Sequence, residues 1–135
     1  MKARILIVED ESIVQLDLQR RLQRMGHNVV GMASRGEDAI AKAVELKPDL
    51  VIMDVRLEGS MDGIEAARRI RAEQATPIVY VTAYASTLDE ASTQDVFGPC
   101  VSKPFRTTEL QSAIDRTLAV SGTMAIYPVN VKPGI

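Results

Sequence analysis

Ile5-Leu6-Ile7-Val8-Glu9-Asp10-Glu11 is the stretch that decides the fold. A strand with one wet face would alternate apolar and polar side chains. Ile5 to Val8 are aliphatic without interruption and mostly β-branched, which suits a strand buried on both faces. The run then stops abruptly against acids. The same pattern recurs along the chain. Leu50-Val51-Ile52-Met53 runs into Asp54, and Ile78-Val79-Tyr80-Val81 runs into Thr82. Asn28-Val29-Val30-Gly31-Met32 is a weaker run. Val101, beside Cys100, marks a short one ahead of Ser102, Lys103 and Pro104.

The segments between these runs read as helices. Ser12-Ile13-Val14-Gln15 has capping-box spacing, in which Ser caps a backbone N–H and Gln reaches back. Val14, Leu18, Leu22 and Met25 then recur at helical spacing, and Gly26 sits where a helix-ending glycine belongs. Residues 37–46 place Ile40, Ala43 and Val44, with Lys47, on neighbouring turns, and Pro48 stops them. Asp62-Gly63-Ile64-Glu65 starts a third helix that leads to Ile70. Thr87-Leu88-Asp89-Glu90 resembles another capping box, and Thr107 or Thr108 caps a last helix carrying Leu110, Ala113, Ile114 and Leu118. Strand and helix alternate as βαβαβαβαβα. That order implies an α/β fold, a parallel sheet covered by helices on both faces and doubly wound through right-handed crossovers. From Ser121 the pattern dissolves into SGTMAIYPVNVKPGI, which reads as a tail or linker.

Composition narrows the chemistry. A chain of 135 residues suits one domain. Aromatic residues are only 4% of it, so the core must be aliphatic. Lys and Arg number 16 against 18 Asp and Glu, which argues against a nucleic-acid binder working by bulk charge. The single Cys excludes an intramolecular disulfide framework, and the single His removes most metal-triad and Ser-His-Asp schemes. No apolar run approaches the roughly 20 residues of a membrane span. Nor does the N-terminus read as a secretory signal. The chain is therefore expected to be cytoplasmic, with carboxylates as its reactive groups.

In open α/β sheets, ligands bind beyond the carboxyl ends of the strands. The residues that follow the apolar runs are Glu9, Asp10 and Glu11, then Asp54, then Thr82, then Lys103. Carboxylates brought together repel one another unless a cation compensates. Hard oxygen ligands suit Mg²⁺, which can neutralise and orient an incoming phosphoryl group. A central Asp can act as nucleophile and form an acyl phosphate. A lysine can pair with phosphate oxygens, and a threonine hydroxyl can hydrogen-bond a third. Thr82 also suits a strand on propensity alone. Glu11 is the acid of the three best explained by plain exposure at a helix N-terminus.

At this point the residues carry a resemblance. ILIVEDE, DLVIMDVRLEGSMDGIEAA, VTAY and SKPF, in that order, resemble the receiver domain of bacterial two-component response regulators. The resemblance covers roughly Lys2 to Val120, and it implies a receiver domain over 1–120 with a tail over 121–135. It further implies a flavodoxin-like five-stranded parallel sheet in the order 2-1-3-4-5 with five helices. Carried onto this chain, Asp54 resembles the phospho-acceptor. Glu9 and Asp10, with Asp54 and the backbone carbonyl of Arg56, resemble the Mg²⁺ ligands. Thr82 resembles the switch hydroxyl, and Lys103 the phosphate-binding lysine, often with a cis bond before the matching Pro104. The implied partners are a sensor histidine kinase or a histidine phosphotransfer protein, with a homodimer through the last helices and strand as an option. No direct contact with nucleic acid or membrane is implied, and no enzyme activity beyond self-phosphorylation and slow self-dephosphorylation.

Three features depart from the family pattern. Cys100 stands where the family usually has Tyr or Phe, so its aromatic switch is absent at that position. The loop after Asp54 lacks the usual proline and is about one residue longer than the commonest form. No output domain follows within the sequence. The Cys100 replacement supports an alternative, a receiver-like docking scaffold with weakened phospho-switching, unless Phe97 or Tyr84 substitutes. A phosphohydrolase resembling the haloacid-dehalogenase group would need a second Asp where Arg56 stands. A nucleotide-binding domain would need a glycine-rich phosphate motif that the chain lacks. Other residues take plainer readings. Asp62 is expected to cap a helix. His27 is expected at the surface beside a helix end, and Cys100 as a small buried hydrophobe. The arginines at 20, 21, 24, 68, 69 and 71 are expected on solvated helix faces. Tyr84 and Arg56 are expected to flank the site.

Overall fold

Five strands, all parallel, lie in the order β2-β1-β3-β4-β5, with β1, β3 and β4 buried at the centre. The computed structural model describes residues 2–83 and 98–126, the last six as backbone only. The strands are β1 (Arg4–Val8), β2 (Asn28–Ala33), β3 (Leu50–Met53), β4 (Ile78–Thr82) and β5 (Cys100–Ser102). The helices are α1 (Ser12–Arg24), α2 (Gly36–Leu46), α3 (Gly63–Glu73) and α4 (Thr107–Ile126). The helix expected to start near Thr87 lies outside the described residues, as do Tyr84 and Phe97. The last helix continues past Val120 to Ile126. Among the described residues, no helix is long and apolar enough to cross a membrane.

The unbroken apolar runs have a simple cause. Successive strand residues point to opposite faces, and both faces are covered. Ile5, Ile7, Leu50, Ile52, Val79 and Val81 face one layer, against Leu18 and Leu22 of α1 and Leu110, Ala113 and Ile114 of α4. Leu6, Val8, Val51, Met53, Ile78 and Tyr80 face the other, against α2 and α3. On that side the helices meet the sheet through small residues, Ala39 and Ala43 of α2 and Ala66 and Ala67 of α3. This corrects the face expected for α2. Gly36, Ala39 and Ala43 form its buried line, Ile40 is only partly buried and Val44 is exposed. Small residues let the α2 backbone approach the sheet, which turns the bulkier Val44 outwards.

Helix ends also differ in detail from the sequence expectation. α1 starts after Glu11, which makes no side-chain cap, and Gln15 Nε2 donates instead to the Glu9 carbonyl. The Ser12–Gln15 box therefore does not form. At the other end Gly26 has φ +95°, and the N–H groups of Gly26 and His27 donate to the carbonyls of Gln23 and Leu22. This is a Schellman ending. It carries the chain back under the helix, so His27 is buried rather than at the surface. His27 Nδ1 accepts the Ala3 N–H at 3.0 Å. Burial, with the positive N-terminus behind it, holds the imidazole pKa below its usual value. α4 is capped by Glu109, whose carboxylate accepts the Arg106 N–H at 2.7 Å, and not by a threonine hydroxyl.

Candidate functional site

The site is assembled by strand register. Val8 is paired with Met53, and each ladder runs one step further, with Glu9 N–H donating to Ala33 O and Asp54 N–H donating to Val8 O. Glu9 and Asp54 are thereby fixed on adjacent strands just past their carboxyl ends. On the far side Thr82 pairs with Ser102, and the Lys103 N–H donates to the Thr82 carbonyl at 3.0 Å. The Lys103-Pro104 peptide bond is cis. Parallel strands share one carboxyl edge, so groups 94 residues apart in sequence meet there.

They meet at hydrogen-bond distance. Lys103 Nζ donates to Glu9 Oε1 at 2.6 Å and to Asp54 Oδ2 at 2.8 Å. One carboxylate oxygen from each of Glu9, Asp10 and Asp54 lies within 4.8 Å of the other two. Glu9 and Asp54 are buried, while Asp10 stands exposed at the mouth. Backbone donors complete the arrangement: Glu11 N–H reaches Glu9 Oε2 at 3.1 Å, and Arg56 N–H reaches Asp54 Oδ1 at 3.3 Å. A cleft of about 300 Å³ opens over them, lined by Asp10, Glu11, Asp54, Arg56, Leu57, Ala83 and Lys103. Thr82 is fully buried at the end of β4.

The electrostatics are unbalanced. One ammonium faces three carboxylates, and two of those are out of water. Burial raises the Glu9 pKa to about 7, against the lowering effect of the Lys103 and Glu11 hydrogen bonds. Burial also works against the charge on Lys103, but its hydrogen bonds to Asp54 and Glu9 outweigh this and raise its pKa. Lys103 therefore stays cationic. An edge with surplus negative charge in low dielectric attracts a further cation.

Two contributors were not legible as such in the sequence. Gly63 does more than begin α3. A Cβ there would lie 1.9 Å from the Asp54 carbonyl oxygen, and the Gly63 N–H donates to Val55 O at 2.7 Å. Only a glycine lets α3 come so close to the chain that leaves Asp54. The preceding Asp62 caps that helix as expected, accepting the Glu65 N–H at 2.8 Å. The second is Arg21, which is not a freely solvated helix arginine. It reaches the segment after Lys103, and Arg71 likewise donates to the Thr76 carbonyl. Cys100 also departs from expectation. Alternation along β5 turns Val101 inwards and leaves Cys100 exposed.

Fold and edge together define a doubly wound α/β protein with an acidic crevice at the carboxyl end of its sheet. The response regulator receiver domain matches residues 5–115, and the chain belongs to that family. It is 40% identical over 119 residues to the transcriptional regulatory protein PdtaR of Mycobacterium tuberculosis, a match covering 87% of this chain and 57% of PdtaR. It is 30% identical over 120 residues to the phyllosphere-induced regulator PhyR of Methylorubrum extorquens, covering 87% of this chain and 44% of that one. The crystal structure of the response regulator PhyR from Brucella abortus superposes with a TM-score of 0.84 at 27% identity, over 95% of this chain and 52% of that one. The chain spans about half the length of the curated relatives it matches. It is a receiver domain of the two-component response-regulator type, a signalling module.

Proposed function

We propose that Asp54 accepts a phosphoryl group from the phosphohistidine of a partner, a sensor histidine kinase or histidine phosphotransfer protein. The observation that carries this is the placement of Lys103 Nζ 2.8 Å from Asp54 Oδ2, inside a cluster of three carboxylates beneath the cleft. The donor set fits Mg²⁺: carboxylate oxygens of Glu9, Asp10 and Asp54, with the backbone carbonyl of Arg56 as a further ligand. When bound, Mg²⁺ would offset the phosphoryl charge. The Asp54 oxygen attacks phosphorus, the P–N bond to histidine breaks, and the bonding pair leaves with the imidazole. Lys103 pairs with phosphoryl oxygens, and the Thr82 hydroxyl hydrogen-bonds another. Lys103 must give up part of its bond to Asp54 to do so, and Glu9 keeps its ammonium close. The added charge then biases a partner-binding surface. The unit is residues 1–120, with the end of its last helix running on to Ile126 ahead of the tail, and it works in the cytoplasm without enzymatic turnover of its own.

Incubating the protein with Mg²⁺ and acetyl phosphate, then measuring intact mass, tests this. The expected result is one added phosphoryl group on the wild type and none on Asp54→Asn. No adduct, or an adduct on Asp54→Asn, sinks the reading.

A further inference from the structure

Arg21 carries an unusual set of contacts for a helix arginine beside the core. Its Nη1 donates to the Phe105 carbonyl at 3.2 Å and to Thr107 Oγ1 at 3.3 Å. Its guanidinium carbon sits 4.8 Å from the centre of the Phe105 ring, and Nε pairs with Asp17 one turn earlier on α1 at 3.1 Å. A planar fork is suited to this, because it can stack on a ring while its N–H groups point elsewhere in plane. Phe105 itself packs against the core layer that holds Leu18 and Leu22. The side chain is 26% exposed, so these contacts are less screened than those of a free surface arginine.

The position of these contacts matters more than their number. α1 begins directly after Glu9, Asp10 and Glu11. Phe105 and Thr107 directly follow Lys103 and Pro104. Arg21 therefore joins the helix that leaves the acidic turn to the segment that leaves the lysine. These are the two halves of the site on either side of Asp54. Lys103 is on a four-carbon stem with several rotatable bonds, and its ammonium is useful only where its backbone holds it.

We propose that Arg21 is a positioning residue for the phosphoryl-transfer site. It braces the 103–107 segment against α1 so that Lys103 Nζ is held over Glu9 and Asp54. This rests on the reading of Asp54 as phospho-acceptor given above. Arg21 touches no reacting atom and acts through Lys103.

A double-mutant cycle tests it, using acetyl phosphate as donor so that no partner protein enters. Initial rates of phosphoryl uptake are compared for the wild type, Arg21→Met, Lys103→Ala and the double variant at one Mg²⁺ concentration, with melting curves recorded alongside. Arg21→Met is expected to slow uptake by about threefold to tenfold, in the same direction as Lys103→Ala but by less. In the Lys103→Ala background the same change is expected to do nothing further, because the group it positions is gone. A purely structural arginine would lower the rate equally in both backgrounds. Equal losses, or an Arg21→Met rate matching the wild type, overturn the proposal. If Arg21→Met does not fold, Arg21→Lys carries the same test, since it keeps the charge but loses the planar stack on Phe105 and has no second nitrogen to hold Asp17 while donating to Phe105 O and Thr107 Oγ1. The reading of Asp54 fails separately and visibly: the wild type itself would take up no phosphoryl group.

Discussion

The two edges of the same parallel sheet are built on opposite principles. At the amino edge, polar groups of the first strand and the residue before it meet partners of fixed position. The Ala3 N–H is accepted by His27, the Arg4 N–H by Asp49 at 2.8 Å, and the Arg4 guanidinium donates to the Lys47 carbonyl at 2.9 Å. At the carboxyl edge two buried carboxylates share one ammonium, and a third stands beside them. No buried side-chain N or O among the described residues lacks a hydrogen bond, so neither edge is defective. What differs is charge. The amino edge is closed by neutral or exposed pairs, and the carboxyl edge is left with negative charge that only a bound cation or a proton relieves. Stability sits at one end, and chemistry is possible at the other.

The comparison breaks most sharply on two aspartates. Asp54→Asn is expected to abolish phosphoryl uptake, whereas Asp49→Asn, at the opposite edge, is expected to leave it within about twofold of the wild type, as read by intact mass over time. If Asp49→Asn silenced uptake as well, the two edges would not be functionally separate.

Next in size is the pH response of Glu9. Its folded pKa of about 7 lies above the usual 4.5, so the stability linked to it is full below about pH 4.5 and is lost as the pH rises through about 7. Glu9→Gln stays neutral and escapes that loss. In metal-free buffer the unfolding free energy of Glu9→Gln relative to the wild type, read from denaturant melts, should climb across this window, by an amount on the order of a few kcal/mol at its top. A difference that stays flat with pH would place the Glu9 charge in water.

His27 at the amino edge should show the opposite sign. Its folded pKa is lowered, so its contribution is present above about 6.5 and lost as the pH falls toward the folded value. His27→Ala should cost about 1–3 kcal/mol at neutral pH, because the buried Ala3 N–H loses its acceptor, and should flatten the acid limb of the stability curve. Denaturant melts at about pH 5 and about pH 7 check both expectations. Phosphoryl uptake near neutral pH should not change. The smallest effect belongs to Asp62→Ala. It removes a helix cap at about 1 kcal/mol and should lower the melting temperature.

Much of this architecture was legible along the chain, and for identifiable reasons. Ile5 to Val8 and Leu50 to Met53 announce doubly covered strands because burial on both faces removes the period-2 alternation. Glu9, Asp54 and Lys103 stand out because each directly follows such a run. Asp62 is legible as a cap because its partner Glu65 is only three residues away. Where the reading failed, the deciding partner was distant. His27 looks like a surface residue until Gly26 turns the chain under α1 and brings it to Ala3, 24 residues back. Val44 looks like a core residue until Gly36, Ala39 and Ala43 bring the α2 backbone to the sheet. Arg21 looks like one more solvated cation until Phe105 and Thr107, some 84 and 86 residues on, come into reach.

Periodicity, caps and strand-end chemistry are local properties, repeated within a few residues. From them follow the alternation of strands and helices, the parallel sheet and the residues at its carboxyl edge. How those residues face one another is not local. The 2.6 Å and 2.8 Å contacts of Lys103, the raised pKa of Glu9 and the approach of Gly63 to Asp54 depend on register between strands and on what is excluded from water. Desolvation and hydrogen-bond geometry act through space, so they exist only once the sheet has closed.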